Sequence, residues 1–183
     1  MSASFLHGVE VIEVTTGPNP VTVVKSAVIG LIGTAPSWAV TAPSAAPASN
    51  SPTLVSSALD AANFGPLIQG YTIPYALAAI QEQGAGQAIV VNVFDPTVHF
   101  TAIAAQAMSF PASGAQVLNL AHMGVSSVVI KNQAGSTTYT PGTDYLLDPV
   151  NGVITALAGG ALTAGEAVSV SFNYADPTKV TDA

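Results

Sequence analysis

The sequence predicts an α+β fold. A partial α/β piece, with N-terminal strands and two helices, spans residues 1–97. An antiparallel β-sandwich or barrel-like module follows over 98–176, then a polar exit segment over 177–183. Two observations carry this. The first half holds two short, nearly all-apolar runs, SAVIGLIG and AIVVNVF, with two helical patterns between them, as in buried strands flanked by helices. The second half shows no helical period, only short alternating runs punctuated by turn signals.

The first element is a strand within Phe5–Val24, FLHGVEVIEVTTGPNPVTVV, broken by Gly17-Pro18 and Pro20. Ser26–Gly33 reads as a buried strand. Thr34–Thr53 has four prolines and no charge, so it reads as an irregular surface loop, with Trp38 placed to pin it to the body. PTLVSS is a brief strand. SALDAANFG is a short helix capped by Ser56 or Ser57 and stopped at Gly65. TIPYALAAIQEQGAG is the better helix, with Thr72 as cap, Pro74 in the first turn and Gly84 as the stop. Tyr75, Leu77 and Ile80 are expected to share its sheet-facing side. Ala88–Phe94 closes the half as a second buried strand. Strand, helix, helix, strand in this order predicts parallel pairing.

After Pro96 the runs are AQVLNLA, VSSVVIK, TTYT, DYLLD, GVITAL and EAVSVSFNY. QAGS, PGTD, PVNG and LTAGE separate them. Val168, Val170 and Phe172 alternate with Ser169, Ser171 and Asn173, as on a strand with one wet face.

Composition narrows the function. Charged residues make up 7% of the 183, against 49% apolar, where about 25% charged is usual. Such a surface repels weakly and tends to associate. The only strong cations are Lys25, Lys131 and Lys179, and the formal net charge is -7. That argues against nucleic-acid binding, which needs several phosphate-neutralising cations. No run of ~18 apolar residues suggests a membrane span, and MSASFLHGVE lacks the basic and apolar regions of a signal peptide. Without cysteine there is no disulfide, thiolate nucleophile or thiolate-bound metal.

No catalytic, cofactor or metal constellation assembles. His7, His99 and His122 share no ligand spacing. Glu10 and Glu13 fall on opposite faces of a strand. Asp144 and Asp148 share a face, but each sits where Asp usually serves a turn. Calcium stays open there, without the EF-hand spacing. GLIGTAPS lacks the lysine of a phosphate loop, QGAGQ precedes a strand instead of following one, and there is no GxSxG elbow. An enzyme is not expected.

The opening residues carry a resemblance. HGVEVIEVTTGPNPVTVVKSAVIGLIGTAP resembles the start of contractile tail sheath proteins of bacteriophages. His7–Glu13, Gly17-Pro18 and Ala27–Pro36 match that family's motifs in order, and PTLVSSALDAANFG is similar to its next strand and helix. TTYTPGTDYLLDPVNGVITALAGGALTAGEAVSVSFNYADPTKVT is similar to a β module inserted in many sheath proteins. The resemblance covers nearly the whole chain. Sheath proteins are usually much longer, so it implies a piece of a longer chain or a natural short relative; the favoured reading is a fragment whose exit segment leads toward a missing C-terminal part. It also implies a structural virion subunit, made in the bacterial host cytoplasm, that assembles helically around a tail tube and contracts. Its partners would be other sheath subunits, the tail tube protein, and baseplate and tail terminator proteins. Phe5, His7, Val9, Val11, Ile12 and Val14 would form a self-assembly arm that adds a strand to a neighbour's sheet. An ordinary first strand within the chain is the competing reading. The rival function is a virion or secreted β-rich module that binds glycan or a cell surface, with Trp38, Tyr139, Tyr145 and Tyr174 as a sugar platform.

Overall fold

The structure, a computed structural model, describes residues 28–40, 46–84 and 86–181. The strand expected within Phe5–Val24 lies outside these residues.

The first half is a three-stranded mixed sheet covered by helices on one face. β1 (Val28–Gly33) and β3 (Gln87–Asn92) pair in parallel, Val28 opposite Gln87 and Gly33 opposite Asn92. β2 (Pro52–Val55) lies on the other side of β3 and runs antiparallel to it, Val55 opposite Ala88. The parallel reading thus holds for β1 and β3 and fails for β2. One crossover helix returns a chain to the starting end of a sheet and gives a parallel neighbour. Two successive helices add a reversal, so β3 starts at the end where β2 finishes.

Helix α1 (Ala58–Ala62) begins at a capping box. The Asp60 N–H donates to Ser57 Oγ at 3.2 Å, and the Ser57 N–H donates to Asp60 Oδ2 at 3.0 Å. Two orphan amides are satisfied reciprocally. Helix α2 (Ile73–Glu82) has Pro74 in its first turn, where the missing N–H costs nothing. Thr72 does not cap it with its side chain. Its hydroxyl instead accepts the Thr34 N–H at 3.0 Å, tying the helix start to the end of β1. Ile73 and Leu77 are buried and Ile80 is half-buried, while Tyr75 faces outward at 48% exposure. Two residues on from Ile73 is a turn of about 200°, which sends Tyr75 away from the sheet. Ile73 and Leu77 meet Val55, Phe64, Ala88 and Val90 in one cluster, with Ile29 and Leu31 against it. Each large apolar side chain buried there stabilises by roughly 1.5–3 kcal/mol.

The second half is two packed antiparallel sheets. β4 (Phe100–Ser109), β10 (Ala167–Ala175), β6 (Val125–Asn132) and β7 (Thr138–Tyr139) form one, in that spatial order. β5 (Val117–Asn119), β9 (Val153–Ala156) and β8 (Tyr145–Asp148) form the other. The two remain separate sheets, so the module is sandwich-like. Ile130, Val168, Val170 and Phe172 from the first sheet and Tyr145 and Ile154 from the second share one core. The alternation of β10 is as the sequence predicts. β4 is a ten-residue strand with no counterpart among the runs expected from sequence. Its AIAAQAM stretch is alanine-rich, and alanine is a poor strand marker.

Two bulges flank β10 at one level. Val170 opposes Gln106 and Phe172 opposes Ile103, leaving an extra residue in β4. Ser171 opposes Val129 and Asn173 opposes Ser126, leaving an extra residue in β6. Ala105 and Ser127 take φ of 50° and 52° there, a conformation uncommon outside glycine. The Ser171 hydroxyl accepts the Ala105 N–H at 2.9 Å and steadies the first bulge.

Candidate functional site

β1 and β3 were expected to be buried, but each shows one face to solvent. Residues on strands alternate between faces. Ile29, Leu31, Ala88, Val90 and Val55 point to the helices; Val28, Ile32, Ile89 and Leu54 point the other way. Ile32 is 74% exposed and Leu54 54%. In register, Gly30 lies beside Ile89, and Ile89 beside Leu54. The result is a contiguous, largely apolar sheet face with no charged residue among the described residues. Parallel sheets normally have both faces covered, and large exposed apolar patches mark contact surfaces.

The β module meets the loops of the first half at two contacts beside its paired entry and exit. Its entry and exit lie side by side, since Ala175 pairs with Phe100 and the Asp176 N–H donates to the His99 carbonyl at 3.1 Å. The Thr101 hydroxyl donates to Asp176 Oδ2 at 2.6 Å. This bond and the Thr178 contacts hold the Asp176 carboxyl below its ordinary value. The chain then turns through a 3-10 helix, Pro177–Lys179, with Pro177 beside Gly70 of the first half. Finally, the Trp38 ring lies against Gly124, and its Nε1–H donates to Tyr71 Oη at 3.0 Å. Tyr71 meets Phe94 edge-on at 5.2 Å, and Phe94 packs on His99 at 5.7 Å. An aromatic chain thus runs from the loop after β1 to the start of β4.

Asn92 completes the framework at the end of β3. It is buried, and its Oδ1 accepts the Ala35 N–H at 2.9 Å and the Phe94 N–H at 3.1 Å. A lone amide inside the apolar run VVNVF is the sequence signal for it.

The structure separates the side chains weighed for chemistry. His99 Nδ1 accepts the Asp95 N–H at 2.9 Å, and His122 stacks on Tyr174 at 3.7 Å. Asp144 Oδ2 accepts the Thr140 N–H and its Oδ1 the Ala161 N–H, which together hold its carboxyl below the ordinary value. Asp148 accepts from the Asn151 side-chain amide and from the Asn151 and Val150 N–H groups, with the same effect. Both acids serve turns. Among the described residues no three His, Asp or Glu side chains gather around one point. The four-aromatic platform does not form. Tyr139 and Tyr145 are buried in the module core, the Tyr139 hydroxyl donating to Glu166 Oε1, and Tyr174 lies under His122. The arm residues Phe5, His7, Val9, Val11, Ile12 and Val14 lie outside the described residues.

Residues 96–182 match a protein family described as "Protein of unknown function UCP028589". Over 184 aligned residues, 100% of this chain, the sequence is 48% identical to the tail sheath protein of Burkholderia phage BcepMu. The chain is a relative of a phage tail sheath protein. It spans 36% of that sheath protein's length. No solved structure matches it. The sheath similarity takes in both the one-sided sheet and the β module, including the polar segment that returns past Gly70. No helix among the described residues is long and apolar enough to cross a membrane.

Proposed function

We propose that this chain serves as part of a structural subunit of a contractile tail sheath, with no catalytic role. Copies assemble helically around a tail tube in the host cytoplasm. Triggered at the baseplate, the sheath contracts and drives the tube through the envelope. The tube, baseplate and tail terminator proteins are its further partners. The observation that carries this reading is the 48% identity along the whole chain to a sheath protein. The uncovered face of Val28, Ile32, Leu54 and Ile89 supports it, because it calls for more sheath polypeptide packed against the sheet. A non-closing contact repeated between identical subunits builds a helical tube.

In this reading residues 1–97 hold the arm and partial core. Residues 98–176 are a module carried on the sheath, and 177–183 lead back to the core. The adjacency of entry and exit at His99 and Asp176 supports this division, since an inserted module needs its two ends close together. Phe5–Val14 acts as the arm, adding a strand to a neighbouring sheet through main-chain hydrogen bonds. Negative-stain microscopy of a full-length sheath subunit that contains this chain tests the reading. Striated tubes are expected, and only dispersed particles under all assembly conditions would count against it.

A further inference from the structure

A pocket of about 610 Å³ opens where the β module meets the first half. We propose that it binds a neutral saccharide.

The volume lies within the ~300–1,000 Å³ of small-molecule sites. Trp38 and Phe100 supply aromatic surface, and Ser126, Ser127 and Asn173 supply hydroxyl and amide groups. Among the described residues the lining holds no charged side chain. In a chain with net charge -7, that disfavours phosphates, nucleotides and acidic sugars. Ser126, Ser127 and Asn173 all line the pocket, and among the described residues none of their side chains is engaged in a hydrogen bond. A purely apolar ligand would leave these groups desolvated and unpaired. A sugar ring offers an apolar C–H face to the aromatics and hydroxyls to the polar groups.

Ser127 adds an independent observation. It sits in the bulge of β6 at φ 52°. Bulges re-aim side chains beside functional sites, and backbone strain at a non-glycine residue clusters at ligand clamps. The β6 bulge falls in the pocket wall, whereas the matching β4 bulge at Ala105 does not line it. A free sugar and the end unit of a surface polysaccharide share this chemistry.

Trp38 is the only tryptophan, so its emission reports on the pocket directly. The full chain is titrated with methyl glycosides of glucose, galactose, mannose, N-acetylglucosamine and N-acetylgalactosamine, and with their tetramers. Glucuronic acid and octanol serve as charged and apolar controls. At least one neutral sugar is expected to change the emission saturably, at millimolar concentration or tighter. Tighter binding of the tetramer identifies a polysaccharide end, and equal binding a free sugar. Phe100→Ala and Asn173→Ala should each weaken binding at least tenfold while far-UV dichroism is unchanged; Phe100 is partly exposed and Asn173 lies on the outer sheet face. The proposal is overturned by no response to any neutral sugar, by a response to octanol alone, by equal binding of glucuronic acid, or by binding that survives both substitutions.

Discussion

The six-membered ring of Trp38 rests on Gly124, three of its atoms within 2.7–2.9 Å of where a Cβ on that glycine would lie. Gly124 also holds φ at 62°. One residue before β6 thus allows both a backbone turn and the close approach of an aromatic ring from the other half of the protein. Gly124→Ala meets both penalties and should cost about 2–3 kcal/mol. Urea unfolding followed by Trp38 emission measures it, and a loss below about 0.5 kcal/mol would show that the ring moves aside freely.

Asn92 offers the second test. Replacing it with Leu strands the Ala35 and Phe94 N–H groups in a buried site. Each stranded donor costs about 1–3 kcal/mol, so Asn92→Leu should lose about 3 kcal/mol. Asn92→Asp retains an acceptor and should lose less near neutral pH. Chemical denaturation of both variants gives the ranking.

The module core makes a third prediction. Phe172 is buried at the centre of β10, between the two bulges. Phe172→Ala should cost about 3–5 kcal/mol. Val129→Ala, on the exposed side of the same sheet, should stay within about 0.5 kcal/mol.

Acid stability provides the fourth. Asp144, Asp148 and Asp176 are held below 3.8 by hydrogen bonds made only in the folded state. A group with a lowered folded pKa contributes fully above its unfolded value and loses that contribution as pH falls through its folded value. Stability should therefore be level above about pH 5 and fall below about pH 4. Asp144→Asn should lower the melting temperature at pH 7 and flatten the acid limb. A variant that keeps the parent's pH profile would remove Asp144 from this account.

These sites differ in how plainly the sequence announces them. Ser57 and Asp60 stand at capping-box spacing, and Val168, Val170 and Phe172 alternate cleanly, so local chemistry alone places them. The direction of β2 is not legible in the sequence because strand order records how many elements intervene, not which way each turns the chain. β4 carries little sequence signal because its alanines give no alternation, leaving Ile103 and Met108 as its inward markers. The exposure of Ile32 and Ile89 was hidden because a strand with one uncovered apolar face has the same composition as one buried on both. The junction pocket depends on Trp38 and Asn173, 135 positions apart, and no local pattern joins them.

The fifth prediction concerns the module. Because His99 and Asp176 are hydrogen-bonded neighbours, excising 98–174 from a full-length sheath subunit and joining the ends with a short glycine linker should leave tube assembly intact. Loss of tubes would make the module part of the sheath lattice.

The central claim is a structural place along the tail, and immunogold electron microscopy of phage particles carrying this protein tests it most directly. Antibodies raised against residues 98–176 should decorate the whole tail shaft at a regular repeat, with the spacing shortening in contracted tails. Label confined to the tail tip or fibres, or absent from particles, would contradict the account.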